Sequence, residues 1–309
     1  MRRCGSAVVV FIASVVSVCT PVRTDAQSRG VYPLGMTATG AGVTPAPGFT
    51  YANQLLIYSR DESKADDGLT LPVSGTNAVI MDMNSFVWVS RRTILGARYS
   101  MVATLPVAKN QLVSDIRGQL SGGGGFADSY YLPLVLGWNG ERLSVRALGG
   151  FLAPTGRFAA GASDNVGSGY WTPTLSSGQS LHLTRSQSLT LSGFALYEWH
   201  TTQEGTGTRP GGTINVDYSL VRSMALAQGA RRLQVGLGGY LQRQTTAKTG
   251  PEITPEQSRE RYAVNGIGVV SNLVFPKQRA SLGLKFFNEF ANRASYQGYS
   301  LQLSGSVTF

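Results

Sequence analysis

Thiols are nearly absent from this 309-residue chain: its two cysteines, Cys4 and Cys19, both fall in the first twenty positions. Beyond them no disulfide framework and no thiolate metal site can form. Charge is scarce too, at 14% of residues against roughly 25% in an ordinary soluble domain. Long apolar runs are missing: the longest, Ala7 to Val18, is short of the roughly 17–25 residues that a membrane-crossing helix needs. With only two histidines, His182 and His200, any histidine-based chemistry must use one of them. No nucleophile elbow of the Gly-x-Ser-x-Gly type occurs. The Gly122–Gly125 run is not followed by the Gly-Lys-Ser/Thr of a phosphate loop.

Glycine is abundant, with 38 residues, but it has no three-residue period, which excludes a collagen-like chain. Arg2 and Arg3, the apolar Ala7–Val18 run and the small-residue site Thr24-Asp25-Ala26 read as a secretory signal peptide over residues 1–26. The net charge is +10; removing Arg2, Arg3, Arg23 and Asp25 leaves 24 basic and 16 acidic residues, or +8. This excess contains no cluster of five or more Lys/Arg, and a secreted chain does not meet nucleic acid. No nucleic-acid partner is expected.

The rest reads as strands of about ten residues, because apolar residues alternate with period two. The last segment shows this best: Tyr299, Leu301, Leu303, Val307 and Phe309 share one face, and Ser300, Gln302, Ser304, Ser306 and Thr308 the other. Segments 93–105, 143–151, 189–199, 214–220, 233–241 and 282–290 behave alike. Their apolar faces carry no charge, whereas Arg98, Arg146, Glu198, Asp217, Lys285 and Glu289 fall on the opposite faces. Five less regular strands, 49–59, 76–90, 126–138, 179–185 and 261–275, bring the total to twelve. Short connections (91–92, 139–141, 186–187, 223–230, 276–278) alternate with longer ones (60–75, 105–125, 154–178, 201–211, 244–260, 292–297).

This pattern predicts an all-β fold: a transmembrane antiparallel up-and-down β-barrel over 49–309, with short periplasmic turns and longer external loops. A cation facing the bilayer midplane costs about 2–4 kcal/mol, so confining charge to one face points to hydrocarbon on the other. Closure removes the unpaired strand edges that lipid cannot solvate. Trp88, Trp138, Tyr197, Trp199, Tyr299 and Phe309 suit interfacial girdles. The expected localisation is the bacterial outer membrane, among its lipids and lipopolysaccharide.

An alternating final strand that ends on Phe309 resembles bacterial outer-membrane barrels in general. That resemblance implies that Phe309 belongs to the signal read by the barrel-assembly machinery. A closer likeness rests on Gly48-Phe49, on 151–158 (FLAPTGRF) and on 164–172 (DNVGSGYWT). It extends through 197–200 (YEWH), 208–211 (TRPG), 242–244 (QRQ) and 288–290 (NEF). Together these resemble the "putative meta-pathway of phenol degradation" family of outer-membrane channel-like proteins, over roughly residues 30–309. The resemblance implies uptake of aromatic or other hydrophobic compounds. No cofactor is expected.

Parity turns Arg98, Arg146, Glu198, His200, Asp217, Lys285 and Glu289 toward the lumen, and Asp82 as well if 76–90 pairs regularly. Phe194, Leu196, Tyr240, Gln242 and Phe287 join them as candidates for the solute path. The mixed signs argue against a strongly ion-selective pore. Twelve strands enclose a space between a filled eight-stranded barrel and an open porin. Apolar lumen residues among a few polar groups suit a small aromatic or amphipathic solute. Segment 27–48, rich in Gly, Pro, Ala and Thr, reads either as a periplasmic tail or as a lumen plug. Loop 154–178 carries Asp164 and Asn165 without calcium-loop spacing, and reads as a solute-gathering or lumen-folding loop. Loop 244–260 is expected to meet solvent or lipopolysaccharide. The alternatives to a channel are a lipase or protease using His200, and a structural or adhesive barrel acting through its loops.

Overall fold

The computed structural model describes residues 30–114 and 118–309. The signal peptide expected over 1–26 lies outside the described residues. Strands follow in chain order: β1 (Gly48–Lys64), β2 (Gly75–Ile94), β3 (Ala97–Ser114), β4 (Gly118–Phe126), β5 (Ser129–Asn139), β6 (Leu143–Ala153) and β7 (Thr172–His182). Then come β8 (Leu189–Glu198), β9 (Thr213–Leu226), β10 (Arg231–Gln244), β11 (Ala263–Phe275), β12 (Ala280–Glu289) and β13 (Ser295–Thr308). All neighbours pair antiparallel. β1 closes the ring by pairing with β13 on one side and β2 on the other, and β2 pairs with β3. The ring has twelve strands. β4 stands outside it as the return arm of a hairpin on β3, in the loop expected over 105–125.

The outer surface is an apolar band. Leu175, Leu237, Val269 and Leu282 are each more than half exposed, an arrangement stable only against hydrocarbon. Aromatic side chains mark the short-turn border: Phe49 stacks on Phe86 at 6.2 Å and lies 6.4 Å from Phe309, and Trp88 meets Tyr99 edge-on. The Phe309 amide donates to Phe49 O at 2.8 Å, which ties the chain's last residue to the first strand.

Three expectations need correction. The first turn lies at Leu95–Gly96 rather than 91–92. Both residues have positive φ, 53° and 74°, the geometry of a two-residue hairpin turn matched to strand twist. β7 begins at Thr172, seven residues before the expected 179. Its inward positions Thr172, Thr174, Ser176, Gly178 and Ser180 are small and buried, so no apolar alternation announces it. Asp82 does not face the lumen. Even-numbered β2 residues share the outer face with exposed Ile80, Phe86 and Trp88, while Met83 points inward and is buried. Asp82 instead accepts from Asn53 Nδ2 at 2.6 Å and from Asn84 Nδ2 at 3.3 Å, on the lipid side.

Candidate functional site

The lumen is occupied by the chain itself. Residues 30–47 precede β1 and run inside the ring from its long-loop end, at Gly30, down to its short-turn end, where β1 begins. Near the short turns, Thr44 N donates to Asn139 Oδ1 and Thr44 O accepts from Asn139 Nδ2. Higher up, Gly42 N donates to Ser180 Oγ, Arg146 Nε to Ala41 O at 2.7 Å, and Ser219 Oγ to Ala38 O. At the top, Gly30 N donates to Tyr262 Oη, in the loop before β11. This segment is too short, and too rich in Gly and Pro, to form regular structure of its own. Its backbone polar groups therefore need partners from the wall.

The inward charges supply those partners. Glu198 is fully buried and accepts from Val31 N at 3.0 Å and Tyr32 N at 2.9 Å. Asp217, also fully buried, accepts from Gly35 N at 2.9 Å, Thr37 N at 3.0 Å and Tyr32 Oη at 2.6 Å. Lys285 Nζ donates to Gly35 O at 2.9 Å and Met36 O at 2.6 Å, and Gln302 Nε2 to Leu34 O at 2.8 Å. Hydrogen bonds with a charged partner are about twice as strong as neutral ones, and here they hold a backbone with few side-chain anchors. Tyr32 adds one such anchor, its ring 5.5 Å from Phe194 within a cluster that includes Leu196 and Leu132.

Close approach on this side requires glycine. A Cβ on Gly178 would fall 2.1 Å from Ala41 O, and one on Gly42 would fall 2.1 Å from Ser144 O. The small inner face of β7 thus makes room for the segment.

The other candidates occupy separate positions. Tyr240 and Phe287 are buried edge-to-face at 5.2 Å, and Tyr240 Oη donates to Glu289 Oε1 at 3.2 Å. Glu289 also accepts from Tyr58, from Asn292 Nδ2 and from Gly298 N. It therefore ties β12 to β1 and to the start of β13. Gln242 Nε2 donates to Asn215 Oδ1 at 2.6 Å. Arg98 lies low in the ring and reaches Ser90 O at 3.4 Å.

His200 sits just past β8, 3% exposed, with Nδ1 2.9 Å from Thr172 Oγ1 and its ring edge-on to Tyr170. Its Nε2 lies 3.7 Å from Glu198 Oε2. A carboxylate so near favours the imidazolium, but both Glu198 oxygens are already taken by Val31 and Tyr32. Burial, aided by the Arg209 guanidinium, prevails and lowers the imidazole to about 4. A buried histidine whose acidic neighbour serves the backbone is poorly placed for hydrolysis.

Between the segment and the wall lies a cavity of about 420 Å³. Tyr32, Pro33 and Met36 bound it on the segment side, and Met81, Met83, Pro106, Tyr130, Leu152 and Leu196 on the wall side. Asn110, Asp128, Asn165 and Ser168 edge it toward the long loops. Asp128 holds that edge in place by accepting from Gly156 N, Ser168 N and Ser168 Oγ. Loop 154–171 thus reaches the cavity through Asn165–Ser168. Met81 and Met83 were not legible as lumen residues, because β2 is apolar on both faces. Gln302, Ser180, Ser219, Asn139 and Tyr262 were missed because ordinary polar residues carry no signal of a backbone partner far away in sequence.

Residues 59–304 match the model of the family described as "Putative MetA-pathway of phenol degradation". No curated protein matches the chain. Among solved structures, the COG4313 outer membrane channel from Pseudomonas putida F1 superposes with a TM-score of 0.70 at 13% identity, covering 88% of this chain and 98% of that one. The β domain of the Bordetella autotransporter BrkA superposes with a TM-score of 0.50 at 11% identity, covering 85% of this chain and 100% of that one. The shared architecture is that of barrels from the bacterial outer membrane, where this chain resides.

Proposed function

Because the chain belongs to the "Putative MetA-pathway of phenol degradation" family, we propose that it is a passive outer-membrane channel for small hydrophobic or aromatic compounds, plugged at rest by residues 30–47. The observation that carries this reading is the cavity between Tyr32, Met36, Met81, Met83 and Leu196. Its apolar wall and sparse polar edge suit a monoaromatic or amphipathic molecule better than a sugar or an ion. Methionine side chains adapt to ligands of different outline, so selection is by polarity and size more than by exact shape. Phe194, Tyr240 and Phe287 extend apolar surface along the lumen. Glu198, Asp217, Lys285 and Arg146 serve the plug and do not form a ring of one sign. A channel function for the fold neighbour from Pseudomonas putida supports the same reading.

The solute passes when the upper part of the segment shifts away from β2 and β8. No bond is made or broken, so no catalytic residue is assigned. Replacing Met83 with Lys places an ammonium in the cavity. Proteoliposomes carrying Met83→Lys should lose uptake of phenol-sized aromatics while keeping their ionic leak. Unchanged aromatic uptake would overturn the assignment of the cavity to the solute path.

A further inference from the structure

The two ends of the barrel differ in charge. At the short-turn end, Arg91 and Arg92 precede the β2–β3 turn, Arg142 lies in the β5–β6 turn and Arg185 in the β7–β8 turn. The β9–β10 hairpin adds Arg222, Arg231 and Arg232, and the β11–β12 turn adds Lys277 and Arg279. All nine are exposed. Among the described residues none of them forms an ion pair, and Glu141 is the one acidic side chain that opposes them at that end. The long-loop end interleaves its signs. Lys64 pairs with Glu62 and Arg157 with Asp164, and Glu252, Glu256 and Glu260 accompany Lys248, Arg259 and Arg261.

Two of the nine fix the level of this rim. Arg222 pairs across the sheet with Leu189 and Val235, both on the lipid-facing side. The Arg231 guanidinium lies 5.7 Å over the ring of Phe275, on the same outer face. Arginines here keep their stems against hydrocarbon and carry their charge to headgroup depth. Arg222 and Arg231 therefore do not project into open periplasm.

We propose that this rim binds anionic phospholipid headgroups, of the phosphatidylglycerol or cardiolipin class, in the periplasmic leaflet of the outer membrane. The guanidinium fork matches phosphate oxygens two at a time. The gain of a surface cation from an anionic leaflet accumulates along a row of them. A zwitterionic headgroup brings its own ammonium and cancels most of that gain. The rim thereby sets the depth of the barrel and recruits anionic lipid around its periplasmic mouth.

The test uses the full mature barrel in nanodiscs of phosphatidylethanolamine with a minority of cardiolipin, and reads retained lipid by native mass spectrometry. The rim variant carries Arg222→Gln, Arg231→Gln, Arg232→Gln and Arg279→Gln. The control carries Lys248→Gln, Arg259→Gln and Arg261→Gln at the other end. The native barrel should retain cardiolipin over phosphatidylethanolamine, and added salt should weaken that preference. The rim variant should lose it by on the order of tenfold, and the control should keep it. If the quadruple variant fails to show heat-modifiable migration, Arg222→Gln and Arg231→Gln singly carry the test. Absence of a cardiolipin preference, or equal loss in rim variant and control, would each overturn the proposal.

Discussion

Asp217 and Lys285 meet through Gly35: the carboxylate takes its N–H and the ammonium its C=O, each at 2.9 Å. The two charged groups are not in direct ion-pair contact. They clasp one residue of the N-terminal segment, from β9 and β12 respectively. Asp217→Ala orphans the Gly35 amide, leaves the Thr37 amide and the Tyr32 hydroxyl only their bonds to each other and to Thr37 Oγ1, and should loosen the segment by about 2–4 kcal/mol. A thiol introduced by Met36→Cys should then react faster with a water-soluble maleimide. Adding Lys285→Met should cost less than the sum of the single changes, because both act on one residue. Unchanged labelling would show that the clasp does not hold the segment.

Gly178→Ala tests the same packing from the wall. The new methyl would lie 2.1 Å from Ala41 O, whereas a methyl at Gly149 on the neighbouring strand would have nothing within 4 Å. Gly178→Ala should raise protease sensitivity near Ala41 without altering heat-modifiable migration, and Gly149→Ala should do neither. Equal behaviour of the two variants would contradict the close approach.

Asp82 is a carboxylate on the lipid side whose partners are the side-chain amides of Asn53 and Asn84. Lipid-facing charge destabilises a barrel, and acidic residues less than cations. Asp82→Leu should therefore stabilise the barrel by about 1–2 kcal/mol in urea unfolding from phospholipid vesicles. Destabilisation would show that the Asn53–Asp82–Asn84 cluster contributes more than its desolvation costs.

The strands of the second half were legible because their two faces differ in kind. From Leu189 to Glu198, Leu189, Leu191 and Tyr197 meet lipid while Ser192, Phe194 and Glu198 turn inward. The inward side of Arg146, Asp217 and Lys285 followed from the same alternation. β2 was not legible. Met81 and Met83 line the cavity while Ile80 and Phe86 face outward, so apolar residues on both faces erased the period and with it the side of Asp82. Residues 30–47 were legible only as a composition. They are held through backbone amides and carbonyls, which every sequence possesses, by partners such as Glu198, 167 positions away from Val31.

His200 supplies a pH signature. Its ordinary value near 6.5 is lowered to about 4 by burial and Arg209. The unfolded chain therefore takes up a proton at His200 between about pH 6.5 and 4 that the folded chain refuses. Folding stability should fall as pH drops through that window, by on the order of 3 kcal/mol, and gain nothing from this group above it. His200→Gln should flatten that part of the profile. A ring NMR signal, assigned by its loss in His200→Gln, that titrates near 6.5 in the folded barrel would contradict the buried neutral imidazole.

The most direct measurement is swelling of liposomes containing the intact barrel or a barrel lacking residues 27–44, with phenol-sized aromatics and sugars compared as solutes. The intact protein should admit the aromatics and exclude the sugars. The shortened protein, still heat-modifiable, should admit both and show a larger single-channel conductance. Equal exclusion of aromatics and sugars by the intact barrel, together with unchanged conductance after the deletion, would contradict a plugged channel for small hydrophobic compounds.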